Sequence, residues 1–116
     1  MPTITELLSA NLHEVFGNRD AASRRAAIER VFAEDVVFAD PEGEVRGWDG
    51  LEEKAASILD GTPPSFALAE AGPAYLGLDS GALAWTFGPE GEPVARGIDL
   101  IEVRDGRIHT LRTLLA

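Results

Sequence analysis

The chain has no cysteine among its 116 residues. That excludes disulfides, thiolate nucleophiles and zinc–thiolate sites, and it fits a reducing compartment. Basic residues are scarce: ten Lys and Arg stand against twenty Asp and Glu, a formal net charge of −10. No basic run interrupts that balance. Phosphate backbones and anionic membrane surfaces repel such a chain, so no nucleic acid and no membrane is expected as a partner. No stretch approaches the roughly 18 apolar residues that a membrane span needs. The start, M-P-T-I-T-E, lacks a basic region followed by an apolar run. No signal peptide is therefore expected, and the expected location is cytoplasmic. The two histidines, His13 and His109, are too isolated to argue a metal site, and no metal or other cofactor is expected.

What is present is the composition of a globular domain, 45% apolar and 26% charged. The length suggests one domain over residues 1–116. Ile4, Leu7, Leu8, Leu12 and Val15 recur at helical spacing behind a Thr3–Glu6 capping box, and Gly17-Asn18 is suited to end that helix. A second helix is expected from about Ala21 to Ala33, capped by Asp20, with Ala27, Ile28, Val31 and Phe32 on its buried face. A short strand, Val36 to Ala39, leads into Asp40. Asp49 with Glu52 opens a third helix carrying Leu51, Ala55, Ile58 and Leu59 inward. After G-T-P-P the pattern turns strand-like: Phe66 to Ala71, Ala82 to Phe87, Val94 to Arg104, and Arg107 to Leu115 after a tight Asp105-Gly106 turn. Three helices around one strand, then an antiparallel meander, make an α+β domain with helices covering one face of a curved sheet.

Two aspartates stand out. In V-V-F-A-D-P, Asp40 ends an apolar strand that Pro41 cannot continue. An Asp there is either a general base or a turn former whose side chain bonds a nearby N–H in D-P-E-G. Asp99 sits in G-I-D-L-I. Alternation puts it on one face with Ala95, Gly97, Ile101 and Val103. A carboxyl in that setting is either paired with an Arg across the sheet or buried with a raised pKa, and a neutral carboxylic acid can donate to a developing oxyanion.

F-A-E-D-V-V-F-A-D-P followed by R-G-W-D-G-L resembles the ketosteroid isomerase and SnoaL-like group of the nuclear-transport-factor-2-like superfamily. G-I-D-L-I-E-V-R-D-G-R-I-H-T-L-R resembles the closing hairpin of the same group, and the order of elements agrees over essentially the whole chain. The resemblance implies a cone-shaped, cystatin-like antiparallel sheet with the three N-terminal helices on its concave face. It puts Asp40 on the isomerase's general base and Asp99 on the protonated Asp of its oxyanion hole. The Tyr of that hole belongs to the first helix, where this chain offers Leu12, His13 and Phe16; its only Tyr is Tyr75. By the same comparison the ligand pocket includes His13, Phe16, Leu83, Trp85, Phe87, Ile101, His109, Leu111, Thr113 and Leu115. Ordinary core is an equal reading of Trp85 and Phe87.

The implied ligand is a small hydrophobic carbonyl compound. Asp40 would move a proton next to the carbonyl and Asp99 would bind its oxygen. The resemblance also admits cyclase chemistry, epoxide hydrolysis, or a non-catalytic binding or dimerisation module. Val94, Ile98, Leu100, Ile108 and Leu114 are assigned to the opposite, outer face. An apolar patch of that kind predicts a homodimer.

Overall fold

A computed structural model describes residues 1–116. Thr3 opens the first helix, α1 (Ile4–Ala10). The Thr3 hydroxyl accepts from the Glu6 N–H at 3.1 Å and the Glu6 carboxylate accepts from the Thr3 N–H at 2.9 Å. Two amides that the first turn leaves unpaired are satisfied by this box. The helix runs on into a π-helical segment, Asn11–Phe16, which ends at Gly17. α2 (Ala21–Val31) starts where the Asp20 carboxylate accepts from the Ser23 N–H at 2.9 Å. It stops two residues short of the predicted Ala33. Phe32 and Ala33 instead open β1 (Phe32–Asp40), because Phe32 pairs with Ile108 and its carbonyl accepts from the Trp48 indole at 3.0 Å. Long-range pairing overrides the local helical pattern there.

β2 (Gly43–Arg46) returns along β1, and α3 (Gly47–Asp60) follows. The helix begins before the predicted Asp49–Glu52 box and has no side-chain cap. Those two carboxylates are drawn to Arg25 on α2, at 2.8 and 3.0 Å, which ties α2 to α3. The rest is strand: β3 (Ala67–Glu70), β4 (Tyr75–Leu76), β5 (Ser80–Gly88), β6 (Ala95–Arg104) and β7 (Arg107–Leu115). The sheet order is β2-β1-β7-β6-β5-β3, with β4 also pairing β5. The fold is the expected α+β arrangement of three helices on a curved, unclosed sheet. The sheet is mixed rather than wholly antiparallel, since β1 runs parallel to β7. Strands so distant in sequence are not joined by a hairpin, so no turn dictates their direction. Between β6 and β7, Asp105 (φ 54°) and Gly106 (φ 76°) both take left-handed backbone, as a two-residue hairpin requires.

Alternation holds along β6. Asp99 and Ile101 are buried, while Ile98 and Leu100 are exposed on the other face together with Leu114 of β7. Ile108 departs from the outer-face expectation. It is fully buried in the core with Phe32, Val31 and Leu7. A bulge explains this: Thr110 pairs with Glu102 but Ile108 pairs with Val103, so His109 is an extra residue and alternation changes phase across it.

Gly97 lies opposite Trp85 in the β5–β6 ladder. A Cβ there would come within 2.7 Å of the Trp85 ring and 2.5 Å of the Leu114 carbonyl. Gly97→Ala is therefore expected to destabilise the fold by about 1–3 kcal/mol through overpacking, read as a lower urea midpoint. An unchanged midpoint would mean that the indole has room to move.

Candidate functional site

The centre of the concave side is a buried carboxyl, Asp99, only 6% exposed. Its neighbours follow from strand register. Thr113 is directly opposite it on β7, and its hydroxyl is 2.8 Å from Oδ1. Trp85 is diagonal to it across Gly97, and the indole Nε1–H donates to the same oxygen at 3.0 Å. A diagonal pair on one face is within reach of an aromatic side chain. From the first turn of the π-helical segment, Asn11 donates through Nδ2 to Oδ2 at 2.9 Å. Asn11 itself is fully buried, and its own Oδ1 has no hydrogen-bond partner. Burial pushes the Asp99 carboxyl above its ordinary pKa. Hydrogen bonds from Thr113, Trp85 and Asn11 oppose that push without cancelling it.

Asp40 ends β1 on the same side. Its Oδ1 accepts from the Glu42 N–H at 2.9 Å, the turn-forming bond that D-P-E-G suggests. Its Oδ2 is 2.9 Å from Nζ of Lys54 on α3, with 11% of the Asp40 side chain exposed. Lys54 is the chain's only lysine, and it also reaches Glu42 at 2.6 Å. Burial works against the Lys54 ammonium. Its hydrogen bonds to Glu42 and Asp40, and their charges, outweigh that cost and raise its pKa.

Both aspartates line one cavity of about 230 Å³. Its walls are Leu12, Phe16, Phe38, Ile58, Leu68, Trp85, Phe87, Ala95 and Leu115, with Asp40, Glu42, Asp99 and Thr113 as the polar members. Phe16 and Phe38 stack at 5.6 Å. Of the predicted pocket residues, Phe16, Trp85, Phe87, Thr113 and Leu115 are therefore brought together with Asp40 and Asp99. Leu83, Ile101 and Leu111 share the face but are sealed in the core and do not line the cavity. His13 does not line it either. It follows Leu12 around the helix, is exposed, and bonds Glu70 on β3 at 2.8 Å. His109, at the bulge, is also outside the lining, with a buried Nδ1 that has no partner. No group of three His, Asp or Glu side chains is placed to hold a metal ion.

Asn11 was missed in the sequence, yet it left a signal. It falls four residues after Leu7 on the apolar stripe, and a polar residue on a buried stripe needs a buried partner. Lys54 left a weaker one, as a lone lysine between the inward Leu51 and Ile58.

The SnoaL-like domain model matches residues 10–110, so the chain belongs to the SnoaL-like family. Among solved structures, a proposed isomerase of the SnoaL-like family from Agrobacterium tumefaciens superposes with a TM-score of 0.87. It is 21% identical over 95% of this chain and 94% of that one. A proposed ketosteroid isomerase from Kribbella flavida gives 0.74 at 16% identity, over 97% and 77% of the two chains. A proposed polyketide cyclase from Sinorhizobium meliloti gives 0.74 at 16% identity, over 97% and 94%. At these identities the likeness is one of fold. No curated protein matches the chain.

A raised folded pKa has a defined effect on stability. Folded Asp99 binds more protons than the unfolded residue does, so its contribution is full below the ~3.9 of a free Asp and is lost as pH rises through the folded value. Asp99→Asn carries no such charge, and its amide can meet the unpaired Asn11 Oδ1. Urea unfolding across pH should show the stability of the variant gaining on that of the wild type as pH rises from about 4 toward 8. Parallel curves would mean that Asp99 titrates alike folded and unfolded.

Proposed function

We propose that the cavity binds a small apolar carbonyl compound and that Asp40 moves a proton on the carbon next to the carbonyl. The observation that carries this reading is the pairing of two carboxyls in one largely apolar cavity, in unlike surroundings. Asp99 is desolvated among uncharged donors, and Asp40 is held beside an ammonium. Environments that differ in this way separate acid from base roles. The volume of about 230 Å³ limits the ligand to something smaller than a drug-sized molecule, which typically needs ~300 Å³ or more.

A second reading, binding without catalysis, has its own support. Both Asp40 oxygens are already engaged, by the Glu42 amide and by Lys54. A carboxylate so held is a hindered base. Cyclohexanone in D2O distinguishes the two readings. Proton transfer should accelerate loss of the α-proton NMR signal, and Asp40→Asn should reduce that rate about 100-fold or more while saturable binding persists. Binding with no accelerated exchange in the wild-type protein would leave the non-catalytic reading.

We also propose that the chain forms a homodimer through the outer face of the sheet. Ile98, Leu100 and Leu114 are exposed there, and Val94 lies exposed just before β6. Light scattering at micromolar concentration should give twice the chain mass of 12.4 kDa, and a monomer mass would remove this proposal.

A further inference from the structure

Both oxygens of Asp99 are engaged by protein. Oδ2 accepts from Asn11, and Oδ1 is shared by Trp85 and Thr113. Asp99 lines the cavity, but with its oxygens so occupied it is poorly placed to bond a ligand itself. Its three partners differ in what they can do. An indole N–H only donates, and Asn11 presents its amide nitrogen. Thr113 carries a hydroxyl, which donates and accepts at once. It is also partly exposed and lines the cavity.

We propose that the Thr113 hydroxyl is the group that hydrogen-bonds the ligand's carbonyl oxygen, with Asp99 behind it as a positioning residue. The inference rests on the reading that the cavity takes a carbonyl compound, and it does not require Asp40 to move a proton.

The protonation of Asp99 sets the direction. The series requires the protonated form of Asp99, which burial favours. On Oδ2, which accepts from the Asn11 Nδ2–H, that proton meets no acceptor with the amide as placed. On Oδ1 it can be donated to the Thr113 oxygen 2.8 Å away, reversing the bond that Thr113 donates to the charged carboxylate. The hydroxyl hydrogen of Thr113 is then free to turn into the cavity and donate to the ligand. No covalent bond changes; two hydrogen bonds point the same way in series, and each polarises the other. A charged Asp99 reverses the series. Thr113 then donates to the carboxylate and offers the cavity only a lone pair, which suits an alcohol or amine instead of a carbonyl. Turning the Asn11 amide gives a third arrangement. Its unpaired Oδ1 would accept the proton from Oδ2, and Thr113 would remain bound to Asp99.

Cyclohexanone labelled with ¹³C at the carbonyl, bound to the protein, reports the arrangement through its infrared stretch. In the wild type and in Thr113→Ser the band should lie below its position in hydrocarbon solvent. In Thr113→Val, which keeps the shape, it should return to the solvent position, and binding should weaken about three- to tenfold, as loss of one hydrogen bond does. Asp99→Asn should also lose the shift with Thr113 intact, because the amide oxygen takes the hydroxyl hydrogen back. A purely structural role for Asp99 would leave the band in place. A shift that survives Thr113→Val overturns the inference and leaves the carbonyl-binding reading standing. A shift that survives Asp99→Asn but not Thr113→Val separates Thr113 from Asp99 and overturns the series. Failure of cyclohexanone to bind the wild type saturably overturns the carbonyl-binding reading and the inference with it.

Discussion

Removing the Asp99 carboxyl from water is the constraint on which the rest of the site depends. An unpaired buried carboxyl is costly, and each donor supplied to it lowers that cost. Its three hydrogen-bond partners come from three elements: Asn11 from the first helix, Trp85 from β5 and Thr113 from β7. Meeting one polar requirement therefore fixes the helix against the sheet and fixes the angle of the indole that forms a cavity wall. Gly97 belongs to the same solution. A side chain there would displace Trp85 and take its Nε1–H away from Asp99. The Asn11 Oδ1 is the one polar atom of this group left without a partner.

Asp40 obeys a different constraint. It lies at the edge of the cavity, where the chain's only lysine reaches it, and Glu42 completes a cluster of two carboxylates around one ammonium. Lys54 is mostly buried, and an ammonium in that position is held by its partners rather than by water. The cavity is thus graded from a charged, ion-paired edge to a desolvated carboxyl deeper in. Such a gradient would orient a ligand that has one polar end, apart from any chemistry.

The helices and strands were legible in the sequence because their signals were local: the Thr3–Glu6 box, the Asp20 cap, the Asp105-Gly106 turn and the alternation through Asp99. The errors fell where distant contacts decided the outcome. α2 ended early because Phe32 pairs with Ile108, and Ile108 turned inward because of a bulge that leaves no mark in a simple alternation. The parallel pairing of β1 with β7 is equally non-local. For the site, Asp40, Asp99, Trp85, Phe87 and Thr113 were readable from face and resemblance. Alternation could not tell that Leu83, Ile101 and Leu111 sit too deep to meet a cavity, since a face has no depth in the sequence. Leu12, Phe38, Ile58 and Leu68 are not legible as lining because they come from helices, or from β1 and β3 away from the β5–β7 meander, whose approach to the cavity is set by packing.

The departure from the isomerase pattern at the first helix also has a physical reading. A phenol there would donate to the ligand from the helix side. This chain has no Tyr in its first helix, and Asn11, which that helix turns to the buried carboxyl, spends its donor on Asp99. With that direction closed, the only uncharged hydroxyl left on the cavity wall is Thr113, on the opposite side of the carboxyl. The ligand oxygen should then sit toward β7 rather than toward the helix, between Thr113 and the aromatic wall of Trp85 and Phe87. A volume of about 230 Å³ is a space for a compact molecule, below the ~300 Å³ or more typical of drug-sized ligands. On the reading proposed above, the hydroxyl that meets the ligand would come from a strand instead of the first helix, while the buried carboxyl behind it stays where the sheet register puts it.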